Sequence, residues 1–230
     1  MPALSLRSAA MKNPKTAQAR RGRPSSLTHE RIIKAALRLV RDRRLEDVSM
    51  REIAGELNVP VMTLYNYVAS KDELSVLIVD HILRPVRVPA EDEGTWRERL
   101  RMLERDARQA MAKHRGVSIR NGVRSTEAMR LADGVLSILT ASGFSRQEAT
   151  RAFAVLYTFM VGQIEVDAFF GSAQGRGEPT FENVTGGEQP TRDELFEFGF
   201  DVVLAGLEAV LGADDRPAAR NLSRIRSPAS

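Results

Sequence analysis

Residues 49–74 read SMREIAGELNVPVMTLYNYVASKDEL, two short apolar-periodic segments separated at Asn58-Val59-Pro60. Ser49 is a good N-cap and Glu52, three residues on, completes a capping box, so a helix is predicted from about Met50. Ile53, Ala54 and Leu57 recur at helical spacing and would face a core, while Arg51 and Glu56 would look outward. Asn58 tolerates the left-handed conformation that ends helices, and Pro60 suits the first turn of a new helix but not its interior. A second helix is therefore predicted over about 61–67, with Leu64 and Val68 buried. One short helix braced by another across a tight turn is the arrangement that lays side chains into a DNA groove.

Charge agrees with that placement. Residues 1–84 hold 15 Lys or Arg against 9 Asp or Glu, whereas residues 85–230 hold 19 against 21. The positive excess thus sits on the half that would displace counterions from phosphates, although a solvated basic face has the same composition. Residues 1–27 carry six basic residues, no acidic ones and three prolines, a composition too polar to bury a core and expected to lack fixed structure. Within them Arg21 and Arg23, in RRGRP, form a segment narrow enough for a minor groove; a plain basic tail is the other reading.

Elsewhere the pattern is helical throughout, and the predicted fold class is all-α. Thr28 would cap a first helix with Ile32, Ile33, Ala36, Leu37, Leu39 and Val40 inward. Ser70 and Glu73 would open a helix reaching Arg84 before Pro85 stops it. This gives a three-helix helix-turn-helix domain plus connecting helix over 28–84, a linker, a helical bundle over 94–212 and a tail without fixed structure over 213–230. In the bundle, helices are predicted at about 96–114, 125–141 (stripe Met129, Ala132, Val135, Leu136, Leu139), 146–170 and 191–211, with Gly143 as a left-handed cap.

The run T-L-Y-N-Y-V-x-x-K-D-E-L, preceded by M-R-E-I-A-x-x-L-x-V, resembles the DNA-binding domain of the TetR family of bacterial transcriptional regulators, over residues 28–84. Residues 112–170 resemble the C-terminal domain of tetracycline repressors in particular. The resemblance implies a dimeric repressor that a small-molecule ligand releases from its operator, with the helix after the recognition helix as transmitter. A regulator with no small-molecule effector, set by its own level or by a protein partner, is the alternative. Where those repressors carry a metal-ligating His this chain has Arg120, and where they carry a ligating Glu it has Val166, beside Glu165; Tyr67 replaces a His of their aromatic pair. A magnesium–tetracycline complex is therefore not expected, nor a metal or cofactor: Cys is absent and the three His sit on separate elements.

On the predicted recognition helix Val61, Met62, Thr63 and Asn66 are candidates for base edges. Tyr65, Lys71, Ser49 and Arg51 are candidates for phosphates, and Tyr67 for either a phosphate or the core. With no Arg or Lys on the reading face, an A/T-biased site is expected. The helices at 146–170 and 191–211 are apolar nearly all round, and a second copy would cover what one bundle cannot, although a deep core within one protomer has the same pattern. Leu156, Phe159, Phe198, Phe200, Val203 and Leu207 are the candidates for that homodimer interface, with Gly162, Gly199 and Gly206 allowing close approach. A ligand pocket is predicted among Leu103, Met111, His114, Arg120, Phe153, Tyr157, Met160 and Gln163. An ordinary Met- and Phe-rich core is the competing reading for each.

No Gly-rich phosphate loop, nucleophile elbow or carboxylate–His constellation suggests an enzyme. No apolar run approaches a bilayer's width and no leader is evident, so a cytoplasmic protein is expected, with double-stranded DNA, a second copy and an unknown effector as partners.

Overall fold

The computed structural model describes residues 27–41, 43–119, 124–173 and 191–211. Its helices are α1 (His29–Leu39), α2 (Met50–Glu56), α3 (Val61–Tyr65), α4 (Lys71–Leu83), α5 (Trp96–Ala112), α6 (Thr126–Ala141), α7 (Arg146–Ala173) and α8 (Arg192–Leu211), with 3-10 turns at Leu45–Asp47 and Glu91–Glu93. Among the described residues the fold is all-α, as the pattern predicted. Arg21, Arg23 and Arg120, with the rest of the arm before Leu27 and the tail after Leu211, lie outside the described residues. Leu27, expected in the arm, is itself buried.

The helix starts follow from capping chemistry. The Thr28 side chain accepts the Arg31 N–H, and Ser49 and Glu52 form the reciprocal box read from the sequence. At α4 Ser70 accepts the Glu73 N–H, but the Glu73 carboxylate reaches one residue further back, to the Ala69 N–H at 2.6 Å. Thr95–Glu98, Ser145–Glu148 and Thr191–Glu194 repeat the box at α5, α7 and α8. Helix ends are equally local. Asn58 has φ 55°, its N–H bonds Gly55 O and the Val59 N–H bonds Ala54 O, while Gly143, at φ 101°, closes α6 in the same way through Thr140 O and Leu139 O.

The recognition helix is shorter than the predicted 61–67. It ends at Tyr65 with Asn66 as C-cap, because the Tyr67 N–H turns back to Leu64 O. Tyr67 is also tethered outside the helix: His29 Nε2 lies 2.9 Å from its carbonyl oxygen, and the two rings meet edge to face at 6.0 Å.

α1 packs on α2 and α4, α2 on α3, and α4 on α5 and α6, while α7 touches α5, α6 and α8. Ile32, Ile53, Leu64, Leu74 and Ile78 fill the first group and Leu100, Leu103 and Ile138 the second. The buried face of α6 is turned from the predicted stripe. Leu131, Gly134, Val135, Ile138 and Leu139 face inward, and Met129 is 59% exposed. The cause is the segment before α5: Val88 sits so close to Gly134 that a Cβ there would lie 2.5 Å from Val88 Cγ2. Arg99 donates to Pro89 O and Arg130 to Val86 O, so the expected linker is held against the bundle along its length.

The loop after α5 also grips the DNA-binding half. Gly116 O accepts the Leu45 N–H at 2.8 Å, and a Cβ on Gly116 would stand 2.2 Å from Arg43 O and 2.4 Å from Val40 O. Both obstacles are backbone, so neither can swing aside. Gly116→Ala is expected to cost about 2 kcal/mol, in the range for overpacked sites. An unchanged thermal midpoint would show that the loop does not rest on the end of α1.

Candidate functional site

The sequence places α2 and α3 across the Asn58 turn, and the fold leaves one side of α3 open. Leu64 is fully buried and anchors the helix. Met62 is 68% exposed and Tyr65 41%, Asn66 is exposed, and Val61 and Thr63 are half-buried. These five side chains thus share a short exposed ridge with a thymine-methyl contact surface (Val61, Met62) beside hydrogen-bonding groups. Tyr67 is half-buried and packs against the core and His29, which favours the core reading over a free phosphate contact.

Ser49 and Lys71, expected to grip phosphates, have partners in the free protein. The Ser49 hydroxyl accepts the Glu52 N–H and donates to the Glu52 carboxylate at 2.8 Å, so its capacity is spent on the cap. Arg43 pairs with the same carboxylate at 2.8 Å and is the leading cause, ahead of the Ser49 bonds, of its pKa falling to about 2. Lys71 Nζ donates to Glu46 O in the 3-10 turn before α2. Arg51 is exposed at the start of α2. Lys71 therefore joins the start of α4 to the turn that Gly116 holds from the other side.

Behind this head, α4, α5, α6 and α7 line a partly open cavity of about 290 Å³. Of the predicted pocket residues, Leu103, Phe153, Tyr157 and Met160 line it. Met111 does not: it is 2% exposed in the core. His114 lies past the end of α5 in a turn against α1, in a separate surface hollow with Lys34 and Arg38. Gln163 is half-buried but outside the wall. Sequence reasoning missed two wall residues of consequence. Leu83 brings the last turn of α4 into the cavity, and Glu104 places a carboxyl in an otherwise apolar lining. Glu104 is 4% exposed, its Oε2 has no hydrogen-bond partner among the described residues, and burial raises its pKa to about 8. The signal was present: Glu104 stands four residues after Leu100 and three before Ala107, on the buried stripe of α5.

The predicted dimer face needs correction. Phe200 and Leu156 are fully buried and Leu207 is 8% exposed, all within one protomer. Phe196 and Phe200 stack at 5.5 Å, with the half-buried Phe159 near both, and Phe159 lies over Gly199, where a Cβ would come within 2.6 Å of its ring. Val203 is half-buried against the same core. α8 is also pinned to α5 by Arg101–Glu197 (2.7 Å), Arg105–Glu197 (2.8 Å) and the pairs Arg97–Glu208, Arg101–Asp201 and Arg108–Asp193. What remains outside is Phe198 (72% exposed), Val202, Leu195 and Val210 on α8, with Val155 on α7. Gly162 and Gly206 meet nothing there.

Two family descriptions match the two halves: "Bacterial regulatory proteins, tetR family" over residues 32–76 and "Tetracyclin repressor-like, C-terminal domain" over residues 88–185. The chain belongs to the TetR family. Similar family members include the HTH-type transcriptional repressor DrrR1 of Streptomyces coeruleorubidus, 29% identical over 210 residues (89% of this chain, 78% of that one). The class C tetracycline repressor protein of Escherichia coli is 29% identical over 206 residues (80% and 92%). Among solved structures, a possible TetR family regulator from Streptomyces coelicolor A3(2) matches with TM-score 0.70 at 28% identity (80% of this chain, all of that one). ActR of S. coelicolor in complex with actinorhodin matches with TM-score 0.69 at 25% identity (82% and 100%).

This TetR-family chain is accordingly a DNA-binding transcriptional regulator. Glu165 accepts the Ser118 hydroxyl at 2.5 Å, and no three His, Asp or Glu side chains converge among the described residues. No helix among them is long and apolar enough to cross a membrane.

Proposed function

We propose that this TetR-family protein is a cytoplasmic homodimeric repressor that holds a two-fold DNA operator and leaves it when an apolar small molecule enters the cavity between α4, α5, α6 and α7. One observation carries the reading: α4 runs from Lys71, beside the recognition helix, to Leu83 in the cavity wall. A ligand that moves Leu83 acts on a rigid lever whose other end positions the DNA-reading surface. α4 is also tied to α6, because Asp80 accepts both the Ser125 hydroxyl (2.5 Å) and the Glu127 N–H (2.9 Å). Filling the cavity can thus favour one spacing of the two heads over another, which is what differential binding requires.

On DNA, Val61, Met62, Thr63 and Asn66 meet base edges, while Tyr65, Arg51 and Lys71 meet phosphates, Lys71 by exchanging Glu46 O for a phosphate oxygen. The exposed stripe of α8, Leu195, Phe198, Val202 and Val210, meets its counterpart on a second copy, and this sets the separation of the half-sites. Arg21 and Arg23 are assigned to the minor groove beside each half-site.

Selection of binding duplexes from a random library tests the whole reading, with release by added small molecules as the second step. Enrichment of a two-fold, A/T-rich site is expected; no enriched sequence would overturn it. On the selected site, Lys71→Ala is expected to weaken all duplexes alike and to reduce the salt slope by about one. Thr63→Ala is expected to lower discrimination by about 1–3 kcal/mol. An equal loss on random DNA would remove Thr63 from the reading surface.

A further inference from the structure

We infer that the cavity selects a cationic effector: an apolar molecule carrying one basic nitrogen, whose ammonium group is bound by the Glu104 carboxylate. This deepens the proposed function and rests on its assignment of the cavity as the effector site.

The geometry gives the ligand's two halves. The wall from α4, α6 and α7 is Leu83, Ala128, Leu131, Val135, Phe153 and their neighbours, which accept a hydrophobic body. Its size, about 290 Å³, suits a two-ring molecule with a short arm. Into that lining α5 turns Glu104, buried and with Oε2 unpartnered. Buried polar groups are normally satisfied, and an unmet one in a cavity marks the place of a missing partner.

The charges around it are engaged elsewhere. On α5, Arg101 and Arg108 pair with acids of α8. On α4, Asp80 faces the start of α6; on α6, Glu127 and Arg130 pair with each other at 2.7 Å; on α7, Glu165 holds Ser118. Tyr157 is the one other titratable group in the wall among the described residues, and burial raises its pKa above the ordinary phenol value. No described cation offsets Glu104, and burial alone accounts for its raised pKa.

An ammonium group supplies what is lacking. It donates a charge-assisted hydrogen bond, and its charge cancels that of the ionised carboxylate, so the occupied cavity stays neutral overall. Phe153 and Tyr157, stacked at 5.9 Å in the wall, add ring faces that attract a cation. An alcohol or ketone would meet only the protonated acid through a single neutral bond. An anion would meet no cation among the described wall residues. Binding proceeds by proton exchange: protonated Glu104 gives its proton to solvent, and the ammonium takes its place.

The test uses three probes of one size on the full chain: 2-naphthylmethylamine, 2-naphthylmethanol and 2-naphthoate, measured by calorimetry between pH 6 and 7.5. The amine is expected to bind at least about tenfold more tightly than the alcohol at pH 7.5. Its affinity should rise toward about tenfold per pH unit, with a proton released. Glu104→Gln should abolish both the preference and the slope while leaving the alcohol bound. An alcohol that binds as well as the amine, a flat pH profile, or no binding of the amine would overturn the proposal. Ala132→Trp and Met129→Trp, which fill the cavity from α6, separate the two levels. Probes lost in these variants but undiscriminated in the wild type would sink only the role of Glu104. Amine binding that survives both would sink the cavity as the site, and the inference with it.

Discussion

Phe200→Arg is expected to unfold the protein, whereas Phe198→Arg leaves it folded and monomeric. The two residues stand two apart on α8 and face opposite fates. Phe200 is fully buried against Phe196 and Phe159. Losing its ring and forcing a guanidinium among apolar side chains should cost about 4 kcal/mol or more, a large fraction of a domain's stability. Phe198 is 72% exposed and touches no other ring among the described residues, so its replacement should leave the melt unchanged within about 0.5 kcal/mol. On a two-fold interface, however, each Phe198→Arg chain brings its charge to the same apolar patch. Sedimentation should then show monomers, and operator affinity should fall about a hundredfold or more as linked half-site binding is lost. A Phe198→Arg protein that remains dimeric would place the interface on another face.

Glu104→Leu is expected to stabilise the unliganded protein, by more at higher pH. In the folded chain the carboxyl holds its proton up to about pH 8, against a reference near 4.5 when unfolded. Between those values the unfolded chain has released a proton that the folded chain retains. Stability therefore falls as pH rises through that window, by about 1.4 kcal/mol per unit, and levels off above it. The leucine variant has no such slope. Its advantage should grow from about 1 kcal/mol at pH 5 to about 4 kcal/mol at pH 8, read from denaturant midpoints at each pH. Equal midpoints for wild type and variant across that range would mean that Glu104 reaches water or a partner. A regulator that keeps so costly a group in its cavity is less stable empty than filled, which makes ligand binding and stability report the same event.

The helix boundaries were legible because their causes are local. Ser49–Glu52, Asn58, Ser70 and Gly143 act within one turn of chain, and the fold uses each where the sequence placed it. Faces were harder to assign than boundaries. α7 and α8 are apolar on more than one side, and periodicity does not say which side a neighbour takes. The α5 arginines decided it, drawing Asp193, Glu197, Asp201 and Glu208 toward α5 and rolling Phe198 outward with Phe200 inward. Such pairs join residues about a hundred positions apart and have no signature in spacing. The same holds for α6, whose rotation is set by Val88 against Gly134. His114 and Met111 were assigned to the cavity by their types, but their position at the end of α5 put one in a turn and the other in the core. Glu104 was passed over because a charged residue on a helix is usually read as solvated, although its register with Leu100 and Ala107 put it inside.

The most direct measurement is fluorescence anisotropy of the full chain on DNA flanking its own gene, at physiological salt with random duplex as competitor. Tight binding that random duplex does not remove, saturating at two protomers or a multiple of two per site, is expected. Binding that random duplex removes equally well, or saturation at one protomer, would contradict it.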